Sequence, residues 1–213
     1  MGRDYKRVSA EIERLNFMTK QENMQFIKNF FDSYYSKLYN EAPFLLANPC
    51  VPTEMISESE SDTNEWTIWK LIPSRIDDAK IKEIENQLEV EFPEVLKSFF
   101  MTYHHMFEEP VGRNPINEPF WGLLNAFNES LAANGYLPFV WDEDHYFIRC
   151  FDLQNMPDEE KCPIVEIDHE EMFDLIYDAE ENGKTLCKDD FAPHMRVIAE
   201  NFYEYLNDIL ESS

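Results

Sequence analysis

Residues 137–153 read LPFVWDEDHYFIRCFDL and residues 163–167 read PIVEI, and these two stretches decide the fold class. Residues 137–141, 145–153 and 163–167 each predict a strand, because bulky and β-branched side chains favour extended backbone. Both faces of the second strand are apolar apart from Arg149, which predicts a central position in the sheet. The connections between the strands are short, so we expect antiparallel hairpins.

Helical patterns lie on both sides of these strands, and a further short strand is predicted at residues 66–71. Apolar side chains recur at the three- and four-residue spacing of a buried helical stripe. The predicted stripes comprise Ile27, Phe30, Phe31, Tyr34 and Leu38; Ile81, Ile84 and Leu88; Val95, Leu96, Phe99 and Phe100; and Ile198, Phe202, Tyr205, Leu206 and Ile209. Helices, then strands, then a helix predict an α+β fold: a mostly antiparallel sheet of about four to six strands packed with helices.

A polar stretch, SESESD at residues 57–62, is typical of a linker and divides the chain. Residues 1–63 carry a net charge of −3, whereas residues 64–213 carry −22. We therefore predict an N-terminal helical appendage with an acidic, Ser-rich linker (residues 1–63) and an α+β domain (residues 64–213). Within the appendage, Thr19 and Glu22 form a capping-box pattern that can begin a helix.

The charge of the whole chain limits its partners. Its 213 residues include 18 basic and 43 acidic side chains, a formal net charge of −25. This argues against nucleic acid and against anionic membranes, both of which attract basic surfaces. No stretch approaches the ~20 apolar residues of a membrane span, and no signal-peptide core is visible. Four widely spaced cysteines, Cys50, Cys150, Cys162 and Cys187, predict reduced thiols, so we expect a cytoplasmic protein.

Residues 76–100 read IDDAKIKEIENQLEVEFPEVLKSFF: a helix carrying Glu85, a hydrophobic–proline step at Pro93, and a second helix ending in bulky apolar residues. Four later stretches follow in a matching order, at residues 137–139, 146–152, 163–169 and 199–206. Together they resemble the SUKH superfamily of SMI/KNR-type domains. The resemblance covers residues 64–211 and leaves the first 60 residues outside.

Two features depart from the pattern of that superfamily. Residues 142–145 read DEDH where the superfamily has a Gly-containing turn, and Ile167 stands where Trp is usual. The resemblance implies a binding module without catalytic residues or cofactor. Bacterial members are commonly immunity proteins that neutralise a polymorphic toxin, often a nuclease. Other members act in fungal cell-wall regulation or associate with secretion machinery.

Acidic residues concentrate in one part of the chain. Residues 142–190 carry 17 acidic and four basic side chains, a net charge of −13. Charge runs are usually solubility surfaces, but a negative field also speeds encounter with a basic partner. A nuclease toxin would be a partner of this kind, because its cleft must be basic to hold phosphates. The predicted partner-binding residues lie at a turn and a strand end, with three tryptophans as a further contact surface: Asp142, Glu143, Asp144, Glu166, Asp168, Glu170, Glu171, Trp66, Trp69 and Trp141.

Enzyme chemistry finds less support in the sequence. Asp142, Asp144, His145, Asp168 and His169 are residue types that ligate metals, but their spacing matches no metal motif. No Gly-x-Ser-x-Gly elbow is present, and five glycines leave no phosphate-binding loop. We therefore predict no metal, cofactor or catalytic residue, and a toxin-neutralising immunity protein that is a monomer or weak homodimer. The alternatives are a regulatory scaffold of the cell-wall-synthesis or secretion-associated type and, third, a metal-dependent hydrolase.

Overall fold

The computed structural model describes residues 19–57, 66–156, 158 and 161–212, and it has the predicted α+β architecture. The described helices are α1 (Lys20–Glu41), α2 (Asp78–Leu88), α3 (Glu94–Thr102), α4 (Trp121–Ala126), α5 (Glu129–Ala133), α6 (His169–Glu181), α7 (Lys188–Phe191) and α8 (Phe202–Ser212). The described strands are β1 (Ala47–Asn48), β2 (Thr67–Ile68), β3 (Ile72–Pro73), β4 (Tyr103–His104), β5 (Tyr136–Trp141), β6 (Phe147–Asp152), β7 (Ile164–Asp168) and β8 (Arg196–Ala199).

The main sheet has four antiparallel strands in the order β5-β6-β7-β8, and β1-β2 and β3-β4 form two small hairpins. The three strands predicted from residues 137–167 are confirmed, as is the central place of β6. Cys150 in β6 faces Pro138 of β5 on one side and Val165 of β7 on the other. This register places the β5–β6 turn next to the junction between β7 and α6, at the same end of the sheet.

Helix α1 contributes to the same hydrophobic core as the sheet and α3. All five residues of its predicted stripe are buried, and the capping box of Thr19 and Glu22 is present. The Phe31 ring lies 5.0 Å from that of Phe99 and 4.7 Å from that of His105. The predicted stripe of α1 therefore packs on α3 and its neighbours. Whether residues 64–213 fold without α1 stays a prediction.

The helix–proline–helix step is held by one buried carboxylate. Glu85 accepts a hydrogen bond from the backbone N of Phe92 at 2.8 Å and lies 3.3 Å from Nζ of Lys97. Burial raises the pKa of Glu85, but the Phe92 N–H and the Lys97 charge act in the opposite direction, and the net result is a lowered pKa. A charged Glu85 thus joins the end of α2 to the start of α3.

Three details differ from the sequence predictions. Ile198, predicted in the stripe of the last helix, lies in β8, and α8 begins only at Phe202, since Asn201 caps it by accepting from the backbone N of Glu204 at 3.0 Å. The region predicted as one helix from residue 121 to 133 is two helices, because Asn128 starts α5 by capping the backbone N of Leu131. The sequence patterns also missed α6 entirely.

The described cysteines and helices add two observations. All four cysteines are free thiols, with Cys150 and Cys162 buried and Cys50 and Cys187 exposed. Among the residues that the structure describes, no helix is long and apolar enough to cross a membrane.

Candidate partner-binding surface

The turn between β5 and β6 is organised by Asp142. Its side chain is only 7 % exposed, and its Oδ1 atom accepts hydrogen bonds from the backbone N atoms of Tyr146 and Phe147 at 2.7 and 2.8 Å. The backbone folds tightly enough that His145 takes a left-handed conformation with φ of 59°. Because Asp142 holds the turn from inside, Glu143 and Asp144 are left exposed at its tip.

The start of α6 is organised by Asp168. Its Oδ1 atom accepts from the backbone N of Glu170 at 2.8 Å and of Glu171 at 3.4 Å, so it is the N-cap of the helix. Glu170 and Glu171 are exposed in the first turn, where the helix dipole favours negative charge. Glu171 also lies 3.0 Å from Nδ1 of His194. The cap therefore places two more carboxylates on the surface.

The turn and the start of α6 are joined by His169. Its backbone N and its ring Nδ1 lie 3.0 and 2.9 Å from the carbonyl oxygen of Tyr146. The ring of Trp141 lies 5.7 Å from that of His169 and 6.1 Å from that of His145. Asn125 accepts a 3.2 Å hydrogen bond from Trp141 Nε1 through its backbone oxygen. These contacts gather rings from a turn, a strand and a helix into one cluster.

The ring cluster continues along α6. Phe173 lies 6.4 Å from His169 between ring centroids, and Tyr177 follows one helical turn later. Tyr146, Phe173 and Tyr177 are 59 %, 54 % and 60 % exposed. We define the aromatic–acidic face as these rings with the exposed carboxylates beside them: Trp141, Tyr146, His169, Phe173 and Tyr177 together with Glu143, Asp144, Glu170, Asp174 and Asp178.

Glu166 lies in a separate cleft on the inner side of the sheet end. It is 2 % exposed, contacts the guanidinium of Arg196, and lies 3.6 Å from Nε of Arg149. Arg149 also donates to Glu143 and to the Tyr205 hydroxyl at 3.1 Å each. These side chains line a cleft of about 260 Å³. Burial raises the pKa of Tyr205, so its hydroxyl stays protonated. Glu166 and Arg149 are the covered members of this network, Arg196 is exposed at its edge, and Glu143 links it to the exposed turn.

The structure brings together some of the predicted partner-binding residues and separates others. Exposed or partly exposed side chains near the turn and the start of α6 are Trp141, Glu143, Asp144, Asp168, Glu170 and Glu171. Asp142 and Glu166 are buried and serve the fold. Trp69 is 1 % exposed, because its ring packs edge-on against Phe107 at 4.7 Å, and Trp66 is exposed beside β2. Direct contact with a partner therefore falls to the exposed members, and their role in binding stays a prediction.

Sequence patterns did not identify Phe173 and Tyr177, nor the role of His169 in joining two segments. One signal was available: positions 169, 173 and 177 follow the four-residue spacing of one helix face. Because the same helix lacks a strong buried stripe, that spacing alone did not predict a helix. Among the described residues, no group of three or more His, Cys, Asp or Glu side chains could hold a metal ion.

Comparison with known families places this geometry in context. The model of the SMI1/KNR4 family (SUKH-1) matches residues 75–208, more than half of the chain. The chain belongs to the SMI1/KNR4 family. The match begins just before α2 and ends within α8, so it contains the aromatic–acidic face and leaves out α1. The comparison with curated proteins found no match. The SUKH family is generally a non-catalytic binding domain and includes immunity proteins.

Proposed function

We propose that this SUKH-1 protein is a non-enzymatic, cytoplasmic immunity protein that binds a cognate toxin with a basic surface and blocks it. The observation that carries the proposal is the aromatic–acidic face, where exposed carboxylates lie beside exposed and partly exposed rings. Tyrosine and tryptophan rings dominate the energy of many protein interfaces, and rim charges speed association with a partner of opposite charge. A surface of this composition fits a protein partner.

The basic residues near the face do not cancel its charge. All four basic side chains within residues 142–190 are engaged by carboxylates of the same segment: Arg149 by Glu143 and Glu166, Lys161 by Asp158, Lys184 by Asp190 and Lys188 by Asp152. Among the carboxylates of the face, only Glu143 is engaged in this way, and Asp144, Glu170, Asp174 and Asp178 form no ion pair in the described part of the chain. A nuclease cleft binds phosphates with Lys and Arg, so an acidic surface could occupy that cleft in place of nucleic acid.

The test of this proposal is partner capture followed by an activity assay. The purified chain would serve as bait in an extract of the native cell, and the captured protein would then be assayed for toxicity and nuclease activity with and without the chain. We expect a basic toxin whose activity falls in proportion to the added chain. Capture of a non-toxic cell-wall or secretion component would support the scaffold alternative instead and would overturn the immunity proposal.

A further inference from the structure

Helix α6 presents a row of three rings, of which His169 is partly covered by the turn and Phe173 and Tyr177 are exposed. His169, Phe173 and Tyr177 occupy positions i, i+4 and i+8, so they lie along one side of the helix over about 12 Å. The inward side of the same helix is marked by Met172 and Ala179, which are buried. Folding of the domain thus uses one side of α6 and leaves the ring row outside.

A row of acidic side chains runs beside the rings. Glu170, Asp174 and Asp178 repeat the four-residue spacing one position later, and all three are exposed. No ion pair in the described part of the chain involves any of them. At the His169 end of the ring row, Tyr146 lies 6.5 Å away between ring centroids and belongs to the turn that carries Glu143 and Asp144. The ring row is therefore bordered by carboxylates along one side, and the acidic turn adjoins its His169 end through Tyr146.

From this arrangement we propose that the element of the partner that docks here is a basic amphipathic helix lying along α6. The inference rests on the proposed function and names the partner surface that the aromatic–acidic face would recognise. Apolar side chains of the docking helix would cover Phe173 and Tyr177. Its Lys and Arg side chains would pair with the flanking carboxylates and lie against the ring faces.

The shape and charge of the row select this occupant over others. An apolar row with a parallel row of charges beside it is the pattern with which two amphipathic helices dock side by side, through an apolar seam and flanking ion pairs. An added strand would need an open sheet edge, which a helix side does not offer. A basic surface without apolar side chains would leave the rings of Phe173 and Tyr177 in water.

The experiment uses a synthetic peptide of about 18 residues, long enough to form a helix, with leucines on one face and Lys and Arg on both flanks. Two controls accompany it: a peptide of the same composition in an order that is not amphipathic, and one with Glu in place of the basic residues. Affinity for the full-length chain would be measured by fluorescence anisotropy at low and high salt. The variants are Phe173→Ala/Tyr177→Ala and Glu170→Gln/Asp174→Asn/Asp178→Asn.

We expect the amphipathic basic peptide to bind more tightly than either control peptide. Loss of the two rings should weaken binding of the amphipathic basic peptide by at least about tenfold at both salt concentrations. The reason is that truncating two rings at the centre of an interface commonly lowers affinity by more than that factor. Loss of the three carboxylates should weaken it mainly at low salt. A matched pair, Tyr39→Ala/Phe44→Ala, removes exposed rings elsewhere and should have no effect.

Two results would overturn the docking proposal. One is equal binding of the amphipathic and scrambled basic peptides, which would mean attraction by net charge alone. The other is unchanged binding in the Phe173→Ala/Tyr177→Ala variant. Neither result bears on whether the chain captures and blocks a toxin, so failure here is distinguishable from failure of the proposed function.

Discussion

The carbonyl oxygen of Tyr146 accepts two hydrogen bonds from His169, one from the backbone N at 3.0 Å and one from the ring Nδ1 at 2.9 Å. A carbonyl oxygen can only accept, so the ring Nδ1 of His169 carries the proton of this bond. This pair of bonds joins the β5–β6 turn to the first residue of α6. The two halves of the aromatic–acidic face are therefore expected to move as one unit.

Replacing His169 tests this coupling. His169→Phe keeps a ring but removes the donor to Tyr146, whereas His169→Asn keeps a side-chain N–H donor near the place of Nδ1. We expect amide hydrogen exchange in the 143–147 turn to speed up several-fold in His169→Phe and to stay near the wild-type rate in His169→Asn. Equal exchange in all three proteins would show that the turn is held by Asp142 alone.

The buried carboxylate of Asp142 gives a stability prediction. Asp142→Ala leaves the backbone N–H groups of Tyr146 and Phe147 without their acceptor, and hydrogen bonds to a charged group contribute about 1.5–3 kcal/mol. We expect the free energy of unfolding to fall by about 2–3 kcal/mol in urea titrations. Asp144→Asn at the exposed tip is the matched control, for which a change within about 0.5 kcal/mol is expected. Similar losses in both variants would contradict the assigned role of Asp142.

This role also changes how the acidic turn should be probed. Neutralising residues 142, 143 and 144 together would disturb the turn as well as its charge, so only Glu143 and Asp144 report on binding. Glu166 is likewise unsuited to a binding test, because it is buried between Arg149 and Arg196.

A buried histidine makes stability depend on pH. His105 is fully buried among Phe31, Phe99 and Phe107, with no hydrogen-bond partner for either ring nitrogen in the described chain. Burial, and secondarily the nearby His104, lower the pKa of His105 from 6.5 to about 3. The folded state thus favours neutral His105, so its stabilising effect is complete above pH 6.5 and is lost as pH falls from 6.5 towards 3.

The variant His105→Phe isolates this effect. Its free energy of unfolding should decline less steeply than that of the wild type between about pH 7 and pH 4, because phenylalanine has no proton to gain on unfolding. Urea unfolding at several pH values measures the difference between the two proteins. Parallel curves over that range would show that His105 does not titrate on unfolding.

The contribution of α1 is the next prediction. The sequence predicts that residues 64–213 fold without the N-terminal segment. The packing of Phe31 and the other stripe residues predicts a large loss of stability in that case, because burying each such side chain contributes about 1.5–3 kcal/mol. Circular dichroism and hydrogen exchange on residues 64–213 decide the matter. If the fragment is as stable as the full chain, residues 1–63 are a true appendage. If the fragment is unfolded, the predicted boundary at residue 63 is wrong.

Particular residues show which parts of the fold can be predicted from the sequence and which cannot. The strands around Arg149 were predictable because bulky, β-branched side chains and short connections specify antiparallel hairpins locally. Ile198 was misassigned because its spacing to Phe202 and Leu206 fits a helix, while the β7 residues that pair with its strand, such as Ile164 opposite Ala199, are remote in sequence. Helix α6 was missed because its fully buried side is marked only by Met172 and Ala179. Trp69 is buried by rings that are remote in sequence, Tyr35 of α1 at 5.4 Å and Phe107 at 4.7 Å, and no local pattern reports such contacts.

The most direct test of the account is the association rate of the captured partner with chains altered on the aromatic–acidic face. The test variant is Glu143→Gln/Asp144→Asn/Glu170→Gln/Asp174→Asn, and the matched control removes two exposed carboxylates elsewhere, Glu91→Gln/Glu118→Gln. Stopped-flow measurements at low and high salt would compare both with the wild type. We predict that the test variant associates about tenfold more slowly at low salt, with a flatter salt dependence, while the control matches the wild type. Identical rates for all three at both salt concentrations would contradict the claim that this face binds the partner.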